Sequence, residues 1–89
     1  MRAVISVIGK DMVGILAKVS VRCAECNANV ADVTQTVLQD MFAMVMIAEI
    51  GSLNCGFGEF ADSLAALGRE LGLEIRVMHE DIFNSMHRI

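Results

Sequence analysis

The spacing of hydrophobic and polar positions predicts six secondary-structure elements, in the order strand, helix, strand, strand, helix, strand. Short runs that are rich in β-branched residues, or that alternate with polar residues, predict strands over residues 2–8, 30–39, 42–50 and 73–78. Apolar residues at three- and four-residue spacing predict helices over about 12–26 and from about residue 57 to the glycine at position 72. One stripe of the first helix, formed by Leu16, Val19, Cys23 and Cys26, is expected to be buried.

This order of elements predicts the fold class. Right-handed crossovers fold it into a ferredoxin-like α+β sandwich, with a four-stranded antiparallel sheet and both helices on one face. The first and third strands are then central, and the second and fourth are edges. Asp11 is the expected N-cap of the first helix, and Asn27 and Gly72 are expected to close the two helices. Asp81 is expected to cap a short terminal turn that runs through Arg88.

The third predicted strand is apolar on both of its faces, although two helices can cover only one face of a sheet. One face carries Phe42, Met44, Met46, Ala48 and Ile50, and the other carries Ala43, Val45 and Ile47. If Val45 and Ile47 face the helices, an exposed apolar patch is left on the open face, and a second copy of the chain is expected to cover it. This patch consists of Phe42, Met44 and Met46, beside Val4 or Ile8. The unpaired edge of the second strand offers another contact. We therefore predict a homodimer, or a dimer of dimers that uses both surfaces.

Composition and charge narrow the classes of function. With 89 residues, of which 55% are hydrophobic and 20% charged, a single folded domain over residues 1–89 is expected. The net charge of −4, together with a first strand that has no aromatic residue, argues against nucleic-acid binding. No apolar run approaches the roughly 18 residues of a membrane span, and the first residues resemble no signal peptide. We therefore expect no membrane partner and a cytoplasmic location.

The three cysteines include one C-x-x-C motif, Cys23 to Cys26. A redox-active thiolate is favoured near the start of a helix, whereas this motif falls near the predicted end of one, on its buried stripe. A metal site needs two further ligands, and Cys55 is the only other thiol. We interpret the three residues as structural cysteines of a reducing compartment.

A second candidate lies near the C-terminus, where His79, Glu80, Asp81 and His87 cluster. Histidines and carboxylates together bind zinc or nickel, so a metal-binding protein that uses His79 and His87 with Glu80 is one alternative function. The serines stand in no recognisable nucleophile motif, which argues against an enzyme. No cofactor is predicted.

The most informative segment is Gly9-Lys10-Asp11-Met12-Val13-Gly14. A glycine at position 14 falls in the first predicted helical turn, where it lowers helix stability but lets a ligand come close to the backbone. Free N–H groups at the start of a helix suit a carboxylate or another small anion.

This segment, with Ile15-Leu16 after it and the run from Asn27 to Val33, resembles an ACT domain, and the resemblance extends over the whole chain. The segment over residues 35–40 and the ending over residues 76–89 resemble stand-alone ACT-domain proteins of bacteria and archaea. The resemblance implies a non-catalytic regulatory module that binds an amino acid or a related small molecule between paired domains. The enzyme that it regulates is then a separate protein. A ligand-free protein-interaction module is the remaining alternative.

The resemblance also implies a ligand site, carried over residue by residue. One subunit contributes Asp11, Met12, Val13 and Gly14, and its partner contributes Asn29 and Val30. We expect Asp11 to meet the ammonium group of an amino acid, while the N–H groups of the next three residues hold its carboxylate.

Overall fold

The computed structural model describes residues 1–86 and confirms the predicted order of elements. The elements are β1 (Arg2–Lys10), α1 (Ile15–Glu25), β2 (Asn29–Leu38), β3 (Met41–Glu49), α2 (Phe57–Leu71), β4 (Glu74–His79) and α3 (Glu80–Met86). The strands form one antiparallel sheet in the order β2-β3-β1-β4, with β1 and β3 in the centre as predicted. This is the ferredoxin-like βαββαβ arrangement, with α3 added after the last strand. The prediction for Arg88 lies outside the described residues.

The hydrophobic core lies between the sheet and the helices α1 and α2. Alternate residues of β1, which are Ala3, Ile5 and Val7, are fully buried there, as is Phe60 of α2. Long, flexible methionine side chains take up volume that aromatic residues fill in many other cores, because the chain has four Phe and neither Trp nor Tyr.

The structure reverses the predicted orientation of β3. Met44 and Met46 are 1% and 0% exposed and belong to the core, whereas Val45 is 41% exposed on the open face. The register of β1 explains this choice, because Val7 lies opposite Met44 while the polar Ser6 lies opposite Val45. The face of β1 that carries no polar residue therefore meets the helices, together with the methionine face of β3. Phe42, Met44 and Met46 therefore form no exposed patch, and the prediction that they lie on the open face was wrong.

The open face of the sheet is partly covered by α3. Phe83 and Met86 of this helix, with Val4 and Val45 of the sheet, line a partly open pocket of about 120 Å³ between helix and sheet. As a result Val4 is only 5% exposed, although it points away from the two larger helices. Part of the area that we expected a second copy to cover is thus covered by the chain itself.

The end of each larger helix was predicted correctly, but the start of α1 was not. Asn27 and Gly72 both have left-handed conformations, with φ of 61° and 72°. The N-cap of α1 is Gly14, at φ 87°, and not Asp11, because the chain first makes a turn that only a glycine adopts without strain. The helix therefore begins at Ile15, which takes the buried position predicted for Leu16.

The cap of the terminal helix also differs from the prediction. Asp81 lies inside the first turn of α3, so its carboxylate is not the N-cap. The imidazole of His79 takes this role, since its Nδ1 accepts a hydrogen bond from the Asp81 N–H at 3.2 Å. The His79 side chain reaches the N–H group of Asp81, two residues later, because β4 continues directly into α3.

Candidate functional site

The loop between β1 and α1, residues 11–14, lies at one end of the sheet. Its first residue is anchored to the β2–β3 turn, because the Asp11 N–H donates a hydrogen bond to the Asp40 carbonyl at 2.8 Å. Beyond this anchor the loop projects into solvent: Val13 is 96% exposed and Met12 is 38% exposed. In a single chain this loop is therefore open to solvent.

The start of α1 supplies the polar groups of this site. The first bond within the helix runs from the Lys18 N–H to the Gly14 carbonyl at 3.0 Å. The N–H groups of the residues between Gly14 and Lys18 come before this first bond, so they have no i−4 carbonyl within the helix to bind. Gly14 has no side chain that could cap them. These N–H groups and the positive end of the helix dipole favour an anion.

Sequence reasoning missed one residue at this place, Lys18. Its Cε lies 4.0 Å from the position that a Cβ of Gly14 would occupy, so the side chain extends back along the helix start. A four-residue spacing from Gly14 on a helix was the signal that could have identified it. Its ammonium group adds a positive charge beside the free N–H groups.

The other two predicted ligand residues, Asn29 and Val30, lie at the opposite end of the sheet in the same chain. Asn29 begins β2 and pairs with Glu49, whereas the loop follows Lys10, which pairs with Met41 at the other end of β3. A single chain thus brings residues 11–14 together but does not bring Asn29 and Val30 to them.

The cysteines of the C-x-x-C motif are not equivalent. Cys23 is fully buried in the core, and burial, together with the nearby Cys26, raises its pKa to about 11. The fold instead brings Cys26 to Cys55, a half-buried residue before α2. The pKa of the Cys55 thiol is raised by burial, by a hydrogen bond to Cys26, and by the charges of Cys26 and Glu59. Sequence spacing carried no signal for this pair.

The residues of the proposed C-terminal metal site have structural partners. Glu80 forms an ion pair with Arg2 at 2.6 Å, and His79 caps α3 and packs edge-on against the Phe57 ring. His87 lies outside the described residues. Within residues 1–86, no group of three or more His, Cys, Asp or Glu side chains is placed to hold a metal ion. Among the helices of this same range, none is long and apolar enough to cross a membrane.

Comparison with known proteins identifies relatives over the full length of the chain. The family description that matches residues 2–78 is that of the ACT domain. A UPF0237 protein of Methanopyrus kandleri is 46% identical over 88 residues, which cover 99% of this chain and 98% of that protein.

Two solved structures have the same architecture. An ACT domain protein from Streptococcus pneumoniae superposes with a TM-score of 0.81 at 35% identity, and the match covers 93% of each chain. The regulatory subunit of aspartate kinase from Thermus thermophilus, in its ligand-free form, has a TM-score of 0.66 at 26% identity, over 85% of this chain and 49% of that one.

Proposed function

The chain belongs to the ACT-domain family, whose members are generally regulatory domains that bind small molecules, and on this premise we propose that it is a non-catalytic sensor of an amino acid. The observation that carries the proposal is the exposed loop over residues 11–14, which presents an uncapped helix start with Lys18 beside it. The sensor acts on a separate enzyme. Its three free thiols suit the cytoplasm.

We place the ligand between two copies of the chain, because one copy forms only half of the site. The strand β2 is an edge of the sheet, so its outer N–H and C=O groups are available to another strand. Two copies of β2 related by a two-fold axis pair antiparallel, and Asn29 of one copy then lies beside Leu38 of the other. Leu38 leads into the turn that holds Asp11 through the Asp40 carbonyl. This pairing brings Asn29 and Val30 of the partner to the loop.

The chemistry of the loop fits an α-amino acid. The carboxylate of the ligand meets the N–H groups of Met12, Val13 and Gly14, the uncapped N–H groups that follow at the start of α1, and the ammonium group of Lys18. The carboxylate of Asp11 is exposed and holds the ammonium group of the ligand. The N–H of Asp11 is already bonded to Asp40 and takes no part. Partner residues Asn29 and Val30 face the side chain and set the specificity.

Calorimetric titration of the purified protein with the twenty amino acids tests the ligand class. We expect heat from one or a few of them, and no heat from any of them contradicts the amino-acid proposal. Asp11→Asn keeps the shape of the side chain and removes its charge, so it should weaken binding about tenfold or more, since a hydrogen bond to a charged group contributes about 1.5–3 kcal/mol. Asp62→Asn, on the exposed side of α2, is the matched control and should leave binding unchanged.

Sedimentation equilibrium at micromolar concentration tests the assembly independently of any ligand. We expect a homodimer or a dimer of dimers. A single species of 9.6 kDa contradicts the shared site, and the ligand-free interaction module then becomes the better description.

A further inference from the structure

Two loops meet at the end of the sheet opposite to the proposed ligand loop. The first follows α1 and the second joins β3 to α2, and three hydrogen bonds fasten them together. The Asn54 N–H donates to the Cys26 carbonyl at 3.1 Å, and its side-chain amide donates to the Glu25 carbonyl at 2.8 Å. The side-chain amide of Asn27 donates to the Ser52 carbonyl at 2.7 Å. These three hydrogen bonds hold the two loops in a defined position relative to each other.

These hydrogen bonds between the loops bring the thiols of Cys26 and Cys55 close together. Cys26 contributes the carbonyl that Asn54 binds, and Cys55 is the next residue after Asn54. The Cys26 thiol is close enough to Cys55 to contribute to raising the pKa of the Cys55 thiol. Both side chains are half-buried at the edge of the core, so small molecules in solution reach them.

The third thiol, that of Cys23, is buried and does not contact solvent. Cys23 is 0% exposed inside α1, where an oxidant cannot approach its sulfur. The two thiols that the fold places close together and within reach of solvent are thus Cys26 and Cys55, and not the C-x-x-C pair that the spacing of the sequence suggests.

We propose that Cys26 and Cys55 form a reversible disulfide, which makes these two loops a redox modification site. The oxidant is a low-molecular-weight disulfide. One protein thiolate attacks it, forms a mixed disulfide and releases one small thiol. The second protein thiolate then attacks the protein sulfur of the mixed disulfide and releases the second small thiol. The protein loses two electrons and two protons, and the small disulfide gains them as two thiols.

Peptide mapping after exposure to oxidised glutathione tests the proposal. Trypsin is unsuitable, because residues 23–69 contain no internal Lys or Arg and all three cysteines stay in one peptide. Cleavage after glutamate places the three cysteines in separate peptides, residues 1–25, 26–49 and 50–59. We expect the second and third peptides to become linked within one chain, with a fall from three free thiols to one, and dithiothreitol should reverse both changes.

Variants and a second measurement complete the test. Cys55→Ser and Cys26→Ser should each abolish the link, whereas Cys23→Ala should retain it. The oxidised wild-type protein should unfold at a higher urea concentration than the reduced protein, because the bond closes a long loop in the unfolded chain. Three free thiols after oxidation, a link between Cys23 and Cys26, or a link between two chains each overturns the proposal. If Cys23→Ala does not fold, the wild-type peptide map decides.

Discussion

Replacing Met44 by lysine, with Val45→Lys as its matched control, tests which face of β3 meets the helices. The two residues are neighbours in one strand and point to opposite faces of the sheet. Met44 is 1% exposed in the core, whereas Val45 is 41% exposed on the open face. The same new charge is therefore placed in two environments that differ only in the side of the sheet.

The structure predicts a large difference in stability between these variants. Met44→Lys gives up burial of an apolar side chain, about 1.5–3 kcal/mol, and places an ammonium group without a partner in the core, at a further cost of several kcal/mol. A chain of this length has a total stability of about 4–13 kcal/mol, at about 0.05–0.15 kcal/mol per residue. We expect Met44→Lys to be largely unfolded. Val45→Lys keeps its charge in solvent and should change the free energy of unfolding by less than about 1 kcal/mol.

Urea unfolding followed by far-ultraviolet circular dichroism measures both variants. The expected result is a cooperative transition close to wild type for Val45→Lys and the loss of that transition for Met44→Lys. The reverse order, or equal effects of the two substitutions, would refute the assignment of the faces.

Two further predictions concern α2 and the buried thiol. In Gly68→Ala the new Cβ meets the Leu73 carbonyl oxygen at 2.8 Å, so we expect a loss of about 1–3 kcal/mol in urea unfolding, although alanine is the better helix former. Gly58→Ala, with nothing within 4 Å of its Cβ, should gain up to about 1 kcal/mol, and equal stabilities of the two variants would contradict the packing argument. Burial raises the pKa of Cys23 from 9.0 to about 11. As the pH rises, the Cys23 thiol therefore loses its proton in the unfolded chain before it does so in the folded protein. Cys23 should therefore not affect the free energy of unfolding below pH 9 and should lower it between pH 9 and about pH 11. In urea unfolding, Cys23→Ala should lose less stability than wild type over this pH range.

The sequence by itself determined the order of elements and the fold. Hydrophobic periodicity is a local property, because alternate residues of a strand and every third or fourth residue of a helix share a face. The closing residues of the helices, Asn27 and Gly72, were predictable for the same reason, since a left-handed conformation depends on the residue itself. The loop over residues 11–14 was also located from its two glycines and its place after a strand.

Only the tertiary structure decided the features that depend on distant partners. Both faces of β3 are apolar, so its orientation followed from the register with β1, which sets Ser6 beside Val45. Asp11 is held outside α1 by a distant residue, because its N–H bonds to Asp40 in another turn and the helix begins only after Gly14. The meeting of Cys26 with Cys55 has the same physical reason, because contacts between residues far apart in the chain are created by packing and not by spacing.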